Sequence, residues 1–174
     1  MENILKKIIN KKRDNIISYK KKYSENFLLN GIDTSINFIN FKDKMIDRYS
    51  KRKISIIAEI KKASPSAGIL VKNFDYLNIA KVYSENGASF LSVLTEEDFF
   101  LGKLDYIKNI KKNVKLPVLC KDFFIDTYQV PLAKSFGADC ILIILSAVDK
   151  HLAKDLYQAA LSLNMSVLVE VHSE

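Results

Sequence analysis

Two cysteines are all that 174 residues carry. Both of them, Cys120 and Cys140, sit inside apolar runs with the character of strands. They are therefore expected to be reduced core residues of a cytosolic protein, neither a disulfide nor a metal site. No apolar run reaches the ~18 residues that a bilayer span requires. Residues 1–23 read as a charged helix without the hydrophobic stretch of a signal peptide, so a cytoplasmic protein without a membrane partner is expected. Neither G-x-G-x-x-G nor G-x-x-x-x-G-K-[ST] occurs, which weakens a nucleotide-binding doubly wound sheet.

What is present is ordinary in bulk, with 48% hydrophobic and 27% charged residues, and the length suits one folding unit with a substantial core. The net charge of +7 is largely local. Lys6, Lys7, Lys11, Lys12, Arg13, Lys20, Lys21 and Lys22 crowd the first helix, while Ile4, Leu5, Ile8, Ile9, Ile16 and Ile17 give it an apolar stripe. That pattern predicts an amphipathic helix packed on its own domain, with a solvated basic face. No aromatics alternate with these charges as a single-strand binder needs, so no nucleic-acid partner is expected.

Residues 26–50 read as an irregular or weakly helical second packing segment. A regular beat follows. Strands are predicted at Ser55–Lys61, Ser89–Glu96, Pro117–Asp122, Cys140–Ser146 and Ser166–His172, with helices at Leu77–Asn86, Leu104–Lys112, Thr127–Phe136 and Lys150–Leu163. Asn86-Gly87, Phe136-Gly137 and Leu163-Asn164 provide the helix stops. Strands apolar on both faces, separated by helices, imply βαβ units and a parallel sheet.

Chemistry gathers where the strands end: Glu59 and Lys61, Glu96, Lys121 and Asp122, then Glu170 and His172. This is where a barrel enzyme builds its site, so a (β/α)8 barrel is the better of the two architectures. Alternation puts Glu59 and Lys61 on one face of the first strand, Lys121 on the face of Leu119, and Glu170 on that of Leu168 and His172. An amine and a carboxylate on an apolar strand face are costly to bury unless they pair or do chemistry. By plain reading Ser64-Pro65-Ser66 is a turn, Phe99, Phe100, Phe123 and Phe124 are core aromatics, and Glu96-Glu97-Asp98 is a solvated acidic loop. His172 is a satisfied polar residue on the same terms.

These residues also carry a resemblance. The run Ile57-Ala58-Glu59-Ile60-Lys61-Lys62-Ala63-Ser64-Pro65-Ser66 is followed by Leu91-Ser92-Val93-Leu94-Thr95-Glu96 and Phe99-Phe100-x-Gly102. Pro117-Val118-Leu119-Cys120-Lys121-Asp122-Phe123, Tyr128-Gln129, Gly137-Ala138-Asp139-Cys140-Ile141-Leu142 and Val167-Leu168-Val169-Glu170-Val171-His172 complete it. In order and spacing the chain resembles the indole-3-glycerol phosphate synthases, lyases of tryptophan biosynthesis.

The resemblance implies a (β/α)8 barrel with an N-terminal helical extension, here residues 1–50, and a partial barrel of strands one to five over residues 51–174. It implies a carboxyphenylamino-deoxyribulose phosphate substrate, closed to indole glycerol phosphate with loss of carbon dioxide and water, and no metal or organic cofactor. Lys121 would be the general acid of ring closure; Lys61 would hold the substrate carboxylate and is a candidate second acid. Glu59 and Glu170 would act as base or as electrostatic partners of the lysines. Ser64 would help hold the phosphate, with Pro65, Phe100, Phe123, Leu142 and Ile144 lining the slot for the aromatic ring. A lysine in a desolvated pocket can donate a proton at neutral pH, which is why such chemistry uses one.

Three further strands of the family's barrel have no counterpart among these residues, so the segment is expected to be part of a longer enzyme or a truncated, inactive product. Ala67, Lys103 and Thr127 depart from the family pattern; Ala67 removes a loop cation, and the other two read as surface changes. The alternatives are another phosphate-handling barrel enzyme, such as a phosphoribosyl isomerase, and a half-barrel that associates through its sheet edges.

Overall fold

The computed structural model describes residues 4–171, so His172 lies outside the described residues. The amphipathic first segment forms α1 (Ile4–Lys22). Its buried line is Ile8, Lys12 and Ile16, one residue per turn, so Lys12 belongs to the packed stripe and not to the solvated basic face expected of it. The segment predicted as weakly helical resolves into α2 (Glu25–Asn30) and α3 (Phe41–Ser50). Both have side-chain caps that local propensity alone underrates: Ser24 accepts from the Phe27 amide and Asn40 from that of Asp43.

The beat that follows builds β1 (Ile57–Ile60), a small hairpin of β2 (Ala63–Ser64) and β3 (Gly68–Ile69), then α4 (Tyr76–Glu85) and β4 (Phe90–Leu94). It continues through α5 (Leu104–Asn113), β5 (Val118–Lys121), α6 (Gln129–Ser135), β6 (Cys140–Ile144), α7 (Lys150–Ser162) and β7 (Ser166–Glu170). The five long strands form one parallel sheet in the order β1-β4-β5-β6-β7, each successive pair joined through a helix. Left-handed backbone after α4 and α6 falls on Gly87 (φ 90°) and Gly137 (φ 98°), as the predicted helix stops require.

The sheet separates two cores. On one face Leu91, Val93, Val118, Cys120, Ile141 and Ile143 pack against Ala80, Ile107, Ile110, Leu156 and Ala160 of the helices, joined by Ile16 of α1 and Leu28 of α2. On the other, Phe90, Leu119, Cys140, Leu142 and Ile144 form a smaller cluster that Phe41 of α3 plugs, with ring centroids of Phe41 and Phe90 4.3 Å apart. β4 and β6 are buried along their whole length. The outer strands are not, contrary to the expectation of runs covered on both faces: Ile57 of β1 and Leu168 of β7 are each 37% exposed. Among the described residues each has a neighbour on one side only. Cys120 and Cys140 are free and buried on opposite faces, and burial pushes both thiols up, Cys140 to about 12. Among the described residues no helix is long and apolar enough to cross a membrane.

Candidate active site

Alternation along the strands decides which side chains meet. The inner cluster contains Phe90, Leu119, Cys140, Leu142 and Ile144, so the same face carries Glu59, Leu94, Lys121 and Glu170. Register then lines them up at one end of the sheet: Leu94 lies beside Lys121, and Ile144 beside Glu170. Lys121 Nζ donates to Glu170 Oε2 across 3.1 Å, and Lys61 Nζ stands 3.0 Å from Glu59 Oε1. Two amine–carboxylate pairs thus face a single cleft of about 470 Å³.

The cleft is walled by Pro65, Phe100, Phe123, Leu142 and Ile144, with Leu94 at its base and Ser66 and Ser146 as its hydroxyls. The rings of Phe100 and Phe123 stand 6.3 Å apart at 42°. Of the residues expected at the site, Ser64 is the one that does not line it. Its Oγ accepts from the Ala67 amide at 3.2 Å and lies 3.4 Å from Ser66 Oγ, so it shapes the β2–β3 turn and leaves Ser66 on the cleft. The charged pairs are about a third exposed and so not in the dry pocket expected, because both outer strands contribute to a cleft that stays open.

The loop that carries Phe100 is held from within. Glu96, fully buried, accepts from the amides of Asp98 (3.1 Å), Phe99 (2.7 Å) and Phe100 (3.0 Å). Gly102 closes the loop against β4, where a Cβ would come within 2.3 Å of the Leu94 carbonyl oxygen. The solvated acidic loop expected here is instead a docking platform. Tyr19 donates to Glu97, Asn15 to Asp98 (2.7 Å), and Lys11 lies 3.7 Å from Asp98, because α1 crosses directly over this loop. Burial together with the Glu97 carboxylate pushes the Tyr19 hydroxyl well above its ordinary value.

Helix α1 also reaches the cleft, which the sequence reading missed. Ile4, Leu5 and Ile8 line its mouth. Their periodicity marked an apolar stripe but could not say what the stripe covered. One turn on from Ile8, Lys12 pairs with Asp122 at 2.8 Å, both side chains being more than nine-tenths buried. Asp122 also accepts from Thr95 Oγ1 at 2.7 Å and from the Phe123 amide at 2.8 Å. Burial works to lower the Lys12 pKa, but the Asp122 carboxylate outweighs it and the amine is held above its ordinary 10.5.

A second buried pair, Lys111 with Asp139 at 2.7 Å, lies at the opposite end of the strands. There Asp139 also accepts from the amides of Ile39 and Val118, tying the segment before α3 to the sheet.

Comparison with known proteins identifies the family. A sequence profile described as indole-3-glycerol phosphate synthase matches residues 5–174. Among proteins of that name, the one from Aliarcobacter butzleri (strain RM4018) is 44% identical over 173 residues, covering 97% of this chain and 64% of the relative. That of Polaromonas sp. (strain JS666 / ATCC BAA-500) is 43% identical over 174 residues, covering 100% and 66%. That of Bordetella pertussis (strain Tohama I / ATCC BAA-589 / NCTC 13251) is 42% identical over 172 residues, covering 99% and 66%. The chain spans just under two thirds of the length of these relatives, and along that length it belongs to the indole-3-glycerol phosphate synthase family.

Proposed function

We propose that the cleft is the reaction site of a carbon–carbon lyase converting 1-(2-carboxyphenylamino)-1-deoxyribulose 5-phosphate to indole-3-glycerol phosphate, carbon dioxide and water. The observation that carries this reading is the pair of lysine–carboxylate contacts converging on a cleft with aromatic and aliphatic walls. In ring closure the aryl carbon bearing the carboxylate bonds to the ketone carbon while the ketone oxygen takes a proton. Lys121, hydrogen-bonded to Glu170, is placed to give that proton. Breaking the carbon–carboxylate bond releases carbon dioxide and returns its electrons to the ring. The new hydroxyl then leaves as water, which needs a proton donor, and a ring proton passes to a base.

Lys61 is the counter-ion for the substrate carboxylate and a second acid, while Glu59 and Glu170 serve as base or orient the amines. Two cations and two anions balance one another in the cleft, so a doubly anionic substrate meets cations already held in place. Phe100 and Phe123 hold the aryl ring against Leu142 and Ile144.

In this reading the sheet is five strands of a (β/α)8 barrel with residues 1–50 as its helical extension. The remaining strands stand between β7 and β1 and supply the phosphate contacts, since barrel phosphate sites lie in the last two βα loops. The substrate is a phosphorylated small molecule in a cytoplasmic pathway, with no nucleic acid involved. Incubating the protein carrying this sequence with that substrate and following indole fluorescence tests the reading. Lys121→Met keeps most of the side-chain volume and is expected to lower turnover by at least ~10²-fold with the circular dichroism unchanged. A parent protein without turnover overturns the function. Near-normal turnover in the variant removes Lys121 from its role.

A further inference from the structure

Three consecutive residues at the end of β5 take three separate duties. Lys121 turns inward to Glu170, Asp122 borders the cleft but gives its carboxylate to Lys12 and Thr95, and Phe123 joins the cleft wall. Asp122 is the middle one, and its carboxylate holds the amide of Phe123 directly. Any shift of Asp122 is therefore passed through one peptide link to the proposed acid on one side and to the aromatic wall on the other.

What fixes Asp122 from outside the sheet is one amine. Lys12 Nζ lies 2.8 Å from its Oδ1, and the residue Lys12 is only 5% exposed. A buried carboxylate stripped of its cation must take up a proton or move toward water, since an unpaired charge there is costly. The same lysine stands one helical turn from Ile8, whose side chain lines the cleft beside Leu5 and Ile4. Other contacts of α1 would keep the helix attached without it: Asn15 and Lys11 to Asp98, Tyr19 to Glu97, and Lys20 to Asp126 at 2.6 Å. Attachment and alignment are thus served by different residues of one helix.

We infer that Lys12 is a positioning residue for the lyase chemistry: through Asp122 it sets the backbone between Lys121 and Phe123 and aligns the end of α1 over the cleft. This rests on the proposed function, and it assigns to the N-terminal helix a part in the chemical step as well as in packing. Lys12 itself touches no reacting atom; it acts on Lys121 by holding the strand end.

The test is steady-state kinetics of the protein carrying this sequence, with Lys12→Met, Lys12→Arg and the neutral double variant Lys12→Met/Asp122→Asn, each corrected for the folded fraction. Lys12→Met is expected to lower kcat about 10- to 100-fold, the size of effect that a displacement of about 1 Å produces, with KM changed less than about threefold. Lys12→Arg keeps the charge and is expected to recover a large share of kcat. If Lys12→Met fails to fold, the double variant, which buries no unpaired charge, decides the matter: kcat at least about tenfold below the parent supports the inference. A kcat within twofold of the parent in whichever of the two folds overturns it, as does a loss fully accounted for by unfolded protein. A parent that turns over beside an unaffected Lys12→Met sinks this inference alone. A parent that makes no indole glycerol phosphate sinks the function and this inference with it.

Discussion

A lysine beside an aspartate means different things at different depths. Lys111 and Asp139 have side chains 2% and 0% exposed, whereas Lys51 and Asp47 are 58% and 56% exposed at almost the same separation. Lys111→Met leaves a buried carboxylate with two amides and no ion-pair contact, and is expected to cost about 3–5 kcal/mol in urea unfolding. Lys51→Ala, in water and an exposed i,i+4 pair, is expected to stay within about 0.5 kcal/mol of the parent. Lys12 adds a signature in pH. Its amine is held above 10.5 in the folded chain, against the pull of burial, by Asp122. A raised folded pKa gives stability that is complete below the unfolded value and lost as pH climbs through the folded one. The thermal midpoint of the parent is therefore expected to fall more steeply than that of Lys12→Met above about pH 10.5. Lys44 and Lys134, both lowered chiefly by burial, contribute in the opposite sense and are common to both proteins, so the comparison isolates Lys12.

Helix ends and strand ends show how much of the molecule was legible in the chain. All five long strands and the four helices between them follow from apolar runs and glycine stops, because those signals are local. Strand alternation places Glu59, Lys121 and Glu170 each on a definite face of its own strand, and the register brings them to one end of the sheet. Lys12 was illegible by composition: one lysine among eight basic residues of a helix reads as solvated, and its partner lies 110 residues away. Only its spacing, midway between Ile8 and Ile16, marked it. Ser64 stands off the cleft for a local reason, since the turn it was already assigned to uses its hydroxyl.

Lys103, read as a surface change, sits at the N-cap of α5 with extended backbone and no side-chain hydrogen bond to the helix. Lys103→Ser is expected to add about 0.5–1 kcal/mol by supplying the missing acceptor, seen as a higher denaturation midpoint. Asp149 at the start of α7 already does this, accepting from the Leu152 amide at 2.8 Å.

For the molecule as a whole the governing feature is a sheet with two outer strands. Ile56, Val169 and Val171 along those edges are 52%, 47% and 61% exposed, with Ile54 at 83%. Unpaired strand edges with apolar side chains invite further pairing. The 174-residue chain by itself is therefore expected to sediment as an associated species whose mass rises with concentration, and a sharp single-chain mass at all concentrations would contradict this.

The clasps on α1 bear on synthesis too. Tyr19 is bonded 78 residues downstream, Asn15 83 and Lys20 106, all to loops made after several strands have been built. During translation, then, the helix meets the first of these partners only when 78 residues have followed Tyr19. Throughout that interval its apolar stripe is open to chaperones, and the helix finds its seat only after strands that follow it in the chain.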